Sequence, residues 1–231
     1  MNVIITGTSR GIGLALSQKF LEQPEHQVIA LSRNITPLQT LAQSLHQEQR
    51  LKIAAFDLAT YEHAQLMSIL DHWDRVDLLI NNAGALIHLP FREMNLQQWK
   101  QIFEVNLFAP VRLIQDVLPF MEKSEAAHIV NIGSMGGIQG SVKFPGMSAY
   151  SASKAALASL TECLAEELKK DNIRVNCLCP GAVNTEMFRE AFPDFTAPVE
   201  SKDMADFIYQ FAVQGHRLFN GKVLPISSST P

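Results

Sequence analysis

Val3-Ile-Ile-Thr-Gly-Thr-Ser-Arg-Gly-Ile-Gly13 is the stretch that decides the fold. The apolar run from Val3 to Thr6 is a strand that begins almost at the first residue. Glycines follow at 7, 11 and 13, and a helical pattern runs from Gly11 to Glu22. Glycine lets backbone amides come close to a ligand, and a helix N-terminus carries partial positive charge, so this turn suits a pyrophosphate. The spacing Gly-x-x-x-Gly-x-Gly differs from the common dinucleotide fingerprint, and a plain tight turn has the same composition. Its place between the first strand and the first helix favours dinucleotide binding.

The same alternation continues outward. Strands are predicted at Gln27 to Ser32, Leu51 to Asp57, Val76 to Asn81, His128 to Ser134, Ile173 to Cys179 and Gly221 to Ile226. Helices are predicted at Pro37 to His46, Tyr61 to Trp73, Leu96 to Met121 with a break near Pro110, Ala149 to Lys169 and Ser201 to Gln214. The stretch after Cys179 reads as irregular. Such alternation implies βαβ crossovers and a mostly parallel sheet covered on both faces. The expected fold class is therefore α/β, one doubly wound, Rossmann-type domain over residues 1–231. In such sheets ligands bind beyond the carboxyl ends of the strands.

Composition sets outer bounds. The 231 residues are 47% hydrophobic and 18% charged, with a net charge of −4. This balance argues against a nucleic-acid or acidic-membrane partner. No apolar run approaches the ~20 residues of a membrane span, and the first residues lack a signal peptide's basic region. Cys163, Cys177 and Cys179 cannot all pair, so a reduced, cytoplasmic protein is expected. Cys177 and Cys179 point the same way along a strand and read as ordinary buried thiols. The seven histidines show no ligand spacing, and no metal site is expected.

The strand ends carry the candidate chemistry. Strand 2 ends in Leu31-Ser-Arg-Asn34, where an acidic residue would select NAD. Arg33 stands there instead, and with Arg10 it suits the 2′-phosphate of NADP. Asp57-Leu58 follows strand 3, where the carboxylate reads equally as an adenine acceptor or a helix N-cap. Asn81-Asn-Ala-Gly84 ends strand 4 and lets a cofactor pass close. Ser134 ends strand 5, and Pro180-Gly-Ala-Val-Asn-Thr185 ends strand 6. Tyr150 and Lys154 are one helical turn apart in Tyr150-Ser-Ala-Ser-Lys154. A nearby ammonium favours the phenolate, so Tyr150 is expected to move a proton near neutral pH instead of holding it to pH ~10.

Gly7, Gly11, Gly13, Asn81-Asn-Ala-Gly84, Asn106, Ser134, Tyr150-x-x-x-Lys154 and Pro180-Gly181 occur together and in order. The chain resembles a short-chain dehydrogenase/reductase of the single-domain form over nearly its whole length. The resemblance implies that Tyr150 is the general acid for carbonyl reduction and the base for alcohol oxidation. It implies that Lys154 holds the nicotinamide ribose, that Ser134 orients the substrate oxygen, and that Asn106 breaks its helix and holds a water leading protons toward Lys154. The cofactor would be held by Gly7, Ser9, Arg10, Gly11, Ile12, Gly13, Arg33, Asp57, Leu58, Asn82, Ala83, Gly84, Tyr150, Lys154, Pro180, Gly181, Val183 and Thr185.

Three stretches depart from the family pattern. The segment from Ser134 to Tyr150 is longer than usual, the lid at about 185–200 is short, and the tail to Pro231 lacks a terminal glycine pair. The Met- and Phe-rich lid, with Leu86, Ile87, Phe144 and Met147, suits a small or medium apolar ketone or aldehyde. Packing of the lid to the body accounts equally well for these residues. Arg189 and Lys143 read as solvated rather than as anchors for an acidic substrate. Apolar residues on several faces of the Leu96–Met121 and Ala149–Lys169 helices suggest a homodimer, with a homotetramer as a second form. The leading function is an NADP-dependent carbonyl/alcohol oxidoreductase. Reduction of a 3-oxoacyl carrier protein and a non-catalytic NADP-binding regulator are the alternatives, and lack of a separate substrate domain disfavours an epimerase.

Overall fold

All seven strands of the main sheet run parallel, because a crossover separates each strand from its neighbour. The protein is represented by a computed structural model that describes residues 1–47 and 49–227. In chain order the first half comprises β1 (Asn2–Thr6), α1 (Gly11–Leu21), β2 (Gln27–Ser32), α2 (Thr36–Leu45), β3 (Leu51–Ala55), α3 (His63–Leu70) and β4 (Leu78–Asn81). It continues with α4 (Leu96–Phe103), a π-helical turn (Glu104–Phe108), α5 (Ala109–Met121), β5 (Ala127–Ile132), α6 (Ser148–Glu167) and β6 (Ile173–Pro180). The last elements are β7 (Val183–Asn184), α7 (Glu186–Ala191), β8 (Val199–Glu200), α8 (Ser201–Gln214) and β9 (Val223–Ile226). The sheet order is β3-β2-β1-β4-β5-β6-β9, with β7 and β8 forming a separate small pair.

The apolar strands serve two cores at once. Val3 and Ile5 of β1 and Leu78 and Ile80 of β4 face one layer, with Leu16, Phe20, Met204 and Ile208 from α1 and α8. Ile4 and Leu79 face the other, with Leu66, Leu113, Val117 and Ala165 from α3, α5 and α6. This period of two places every strand side chain in one layer or the other. Burial on both faces explains why the strands read as continuous apolar runs. The expected doubly wound, single-domain architecture is what the chain adopts.

Local differences have local causes. The break in the long helix lies at Glu104–Phe108, just before Pro110. Pro110 has no N–H to bond the Asn106 carbonyl one α-turn back, so the regular ladder cannot pass through. The irregular stretch after Cys179 contains β7, α7 and β8. The two-residue strands pair across the intervening helix, a long-range bond that no local periodicity signals. The expectation about the terminal glycine pair falls on residues 228–231, outside the described residues.

Asp77 staples the N-terminal edge of the central strands. One carboxylate oxygen accepts the Asn2 N–H at 2.8 Å, and the other accepts Arg75 Nε at 3.0 Å and Ser124 Oγ at 2.7 Å. Burial pushes its pKa up, but these donors and the Arg75 charge outweigh burial and hold the carboxyl below 3.8. A depressed folded pKa means stability that is complete above 3.8 and is lost as pH falls through the lower folded value. Asp77→Asn is expected to lower unfolding free energy at pH 7 by about 1–3 kcal/mol. The wild-type advantage should shrink below pH ~4, which urea denaturation at a series of pH values measures.

Candidate active site

The cleft opens where β1 and β4 lie side by side and end together, the point at which the strand order reverses. Thr6 Oγ1 accepts the backbone N–H groups of Asn82 at 3.1 Å and Ala83 at 3.0 Å. The Asn82 amide donates to the Thr6 carbonyl at 3.0 Å and the Gly7 carbonyl at 3.2 Å. Asn82 thus clamps the glycine turn. The backbone approach leaves no space for side chains. Gly7 has φ +70°, and a Cβ there would lie 2.7 Å from Ala83 Cα, while one on Gly13 would overlap the Gly7 carbonyl. At the N-terminus of α1, the N-cap residue Arg10 makes no side-chain cap bond, and the first turn has no acidic residue. The turn thus carries no acidic group of its own at its positive end, which fits the phosphates of a dinucleotide.

The side expected to bind the adenosine is less uniform. Arg33 is exposed and makes no ion pair among the described residues. Arg10 pairs with Glu190 of α7 at 3.0 Å, so it spans from the glycine turn to the segment expected as a lid. Asp57 caps no helix, because α3 starts at His63 with Glu62 as its N-cap. Its Oδ1 instead accepts the Ala59 N–H at 3.0 Å in a local turn. The neighbouring Leu58 and Ala59 carbonyls accept Arg112, whose guanidinium also pairs with Glu104 at 2.9 Å.

Ser134, Tyr150, Lys154 and Asn106 converge on the far side of the cleft. Ser134 follows β5, and its Oγ accepts the Gly136 N–H at 3.1 Å. Tyr150 is in the first turn of α6, with Lys154 one turn on. Lys154 Nζ donates to the Ile132 carbonyl at 2.8 Å and lies 5.9 Å from the centre of the Tyr150 ring. Asn106 is fully buried on the π-helical turn. It accepts the Ala85 N–H at 2.8 Å and donates to the Ala85 carbonyl at 3.0 Å and to Ser153 Oγ at 2.9 Å. Ser153 Oγ donates to the Tyr150 carbonyl at 2.7 Å. Ser153 is absent from the sequence-based site. Its signal was a hydroxyl on the buried face of a helix, beside Lys154.

The electrostatics reverse one expectation. Burial drives the Tyr150 phenol above its usual 10.0; the Ser134 hydroxyl pulls the other way without offsetting it, and Cys179 adds to the rise. Lys154 does not lower it, because the ammonium is turned to the Ile132 carbonyl. Burial lowers Lys154 itself to about 8, against an opposing pull from Cys177 and Cys179.

Strand β6 supplies the floor. Pro180 pairs with Ile226 of β9, and the Gly181 N–H donates to the Ile226 carbonyl at 2.9 Å. Val183 is buried in β7, and Thr185 caps α7 through the Phe188 N–H at 3.1 Å. Gly84 faces Asn106 Oδ1 and Lys154 Nζ, with the Met187 methyl beside them. Phe192 joins α7 to the body, with ring centres 5.6 Å from Phe144 and 5.4 Å from His88. Met147 is buried, and Ile87 packs on Met94, Ile102 and Ala149. Packing to the body thus engages part of the expected pocket lining. Arg189 donates to Asn184 Oδ1, and Lys143 donates to the Gly136 and Ile138 carbonyls, so both serve local structure.

Among the described residues no helix is long and apolar enough to cross a membrane. The family described as short chain dehydrogenase matches residues 1–195. The chain is 31% identical over 188 residues to a 3-oxoacyl-[acyl-carrier-protein] reductase of Chlamydia trachomatis, covering 80% of this chain and 74% of that protein. A short chain dehydrogenase of Shigella flexneri complexed with NADP superposes with a TM-score of 0.86 at 28% identity, covering 97% of this chain and 95% of the other. A 4-hydroxyisoleucine dehydrogenase complexed with NADH superposes equally well, at 0.86 and 30% identity, covering 99% and 97%. With residues 1–195 matched and the glycine turn, Ser134, Tyr150 and Lys154 gathered at one cleft, the chain belongs to the short-chain dehydrogenase/reductase family of oxidoreductases.

Proposed function

We propose that the protein interconverts a ketone or aldehyde and an alcohol, using NADP(H) in preference to NAD. The observation that carries this reading is the convergence of Ser134, Tyr150, Lys154 and the Asn106–Ser153 pair beside the glycine turn. The bound nicotinamide supplies or accepts the hydride. Gly7, Ser9, Arg10, Gly11, Ile12 and Gly13 would hold its phosphates, with Asn82, Ala83 and Gly84 lining its path. Asp57 and Leu58 would meet the adenine, and Pro180, Gly181, Val183 and Thr185 the carboxamide. Arg33, exposed and without an ion pair among the described residues, supports the preference for a 2′-phosphate.

Ser134 orients the carbonyl oxygen. Tyr150, held protonated by burial, gives it a proton; in the reverse direction its phenolate takes one. Lys154 would hold the ribose hydroxyls, and Asn106, on the π-helical turn that Pro110 enforces, would line a proton route. The Met187 and Phe188 side of the short lid suits an apolar substrate. The carrier-protein relative supports acyl thioesters as a second substrate class. We also propose a homodimer, supported by Leu96 at the start of α4 and Phe108 in the π-helical turn, which stand 70% and 50% exposed. A homotetramer through further faces is the larger alternative. The three free thiols support a reducing, cytoplasmic setting.

Turnover of NADPH and NADH against ketones, aldehydes and acyl thioesters tests the reading. Tyr150→Phe should lower turnover by ~10²–10⁴-fold while NADPH still binds, as followed by its fluorescence. Turnover that survives this change overturns the role of Tyr150, and binding with no turnover on any carbonyl favours a non-catalytic regulator. Arg33→Ala should weaken NADPH at least ~10-fold and leave NADH nearly unchanged, since a charge-assisted bond of about 1.5–3 kcal/mol is removed. Equal loss for both cofactors would reject the NADP assignment.

A further inference from the structure

Cys177 and Cys179 stand side by side on β6 at the cleft floor, and nothing in the proposed chemistry uses them. Their sulfurs are 3.7 Å apart, and both residues are buried. Gly133 closes over the pair. A Cβ there would lie 2.7 Å from Cys179 Sγ and 2.8 Å from Cys177 Sγ, so only glycine leaves the two sulfurs room. The next residue, Ser134, is only partly covered, which brings the pair within one residue of the open cleft.

We propose that Cys177 and Cys179 form a dithiol capture site for a trivalent, thiophilic metalloid, of the monosubstituted arsenical class. Each thiol gives up its proton, two sulfur–arsenic bonds form, and the arsenic–oxygen double bond breaks. The oxygen leaves as water, and nothing is oxidised or reduced. Bonds to sulfur of ~2.3 Å, the length in zinc thiolates, bridge 3.7 Å at an angle of about 107°. The sulfurs now share a thiol–thiol hydrogen bond at 3.7 Å, a spacing that two such bonds can span with little movement.

Competing uses of the two sulfurs ask for more. A disulfide needs them ~2.05 Å apart, a closure of about 1.7 Å. It also needs Cα atoms no more than ~6.8 Å apart, the limit that two steps of an extended strand reach. Strand β6 is bonded to β5 on one side and β9 on the other, which resists bending. A tetrahedral cation wants four ligands, and among the described residues no third His, Cys, Asp or Glu joins the pair. A trivalent arsenical brings its third bond with it. Capture would displace Gly133 and Ser134 and so stop turnover. That consequence rests on the proposed function, whereas the capture itself does not.

Phenylarsine oxide with intact-mass detection tests the site. One adduct per chain is expected on the folded wild type and on Cys163→Ser, reversed by a dithiol and not by a monothiol. Cys177→Ala and Cys179→Ala should each lose it. An adduct on Cys163, survival in either variant, or formation only in unfolded protein would overturn the proposal. Should the variants not fold, thiol titration of treated wild type under denaturant decides: one reactive thiol of the three supports the site, and three reject it. Capture that leaves carbonyl turnover intact would reject the inhibitory effect alone. An untreated protein with no turnover would fault the proposed function and leave the site standing.

Discussion

The joint between the ends of β1 and β4 is the constraint on which the rest depends. Thr6 and Asn82 exchange bonds across it, and Gly7 passes Ala83 at a distance that excludes any side chain. The joint fixes where the glycine turn and the Asn82–Gly84 segment face each other. It also sets the distance from the N-terminus of α1 to the far wall, where Ser134, Tyr150 and Lys154 stand. In a parallel sheet the two strands share one register, Ile5 beside Ile80, so the ends of both arrive at the same level. A side chain at Gly7 or Gly13 would force them apart and open the cleft floor.

A second, softer constraint shapes the catalytic side. Lys154 is held by the Ile132 carbonyl, not by the phenol, and Asn106 is held by Ala85 and Ser153. The α6 helix is thereby tied at once to the end of β5 and to the π-helical turn. Satisfied bonds on buried polar groups make these positions rigid, since each lost partner costs ~1–3 kcal/mol. The same burial decides the resting protonation. Without a compensating charge at the phenol, the neutral form of Tyr150 wins. A neutral phenol is the form the proposed carbonyl reduction needs.

Much of this was legible from the residues. The apolar strands, the glycine turn and the order of the strand-end motifs led to the sheet and to both walls of the cleft. The misses share one cause, which is that they depend on partners distant in sequence. Spacing alone placed an ammonium near Tyr150 but could not show that Ile132 claims it. The pairing of Arg10 with Glu190 joins positions 180 residues apart, and β7 with β8 is a tertiary bond. Ser153 stands inside the Tyr150–Lys154 motif, but its role appears only where α6 meets the π-helical turn.

The claim that matters most is that Tyr150 rests protonated and acts as the acid. The ultraviolet phenolate difference spectrum between wild type and Tyr150→Phe, recorded against pH without cofactor, tests it directly. A phenol raised above its usual 10.0 predicts no Tyr150 phenolate at neutral pH. A phenolate that titrates near pH 7 would contradict it and return the pairing of Tyr150 with Lys154 to the centre of the mechanism.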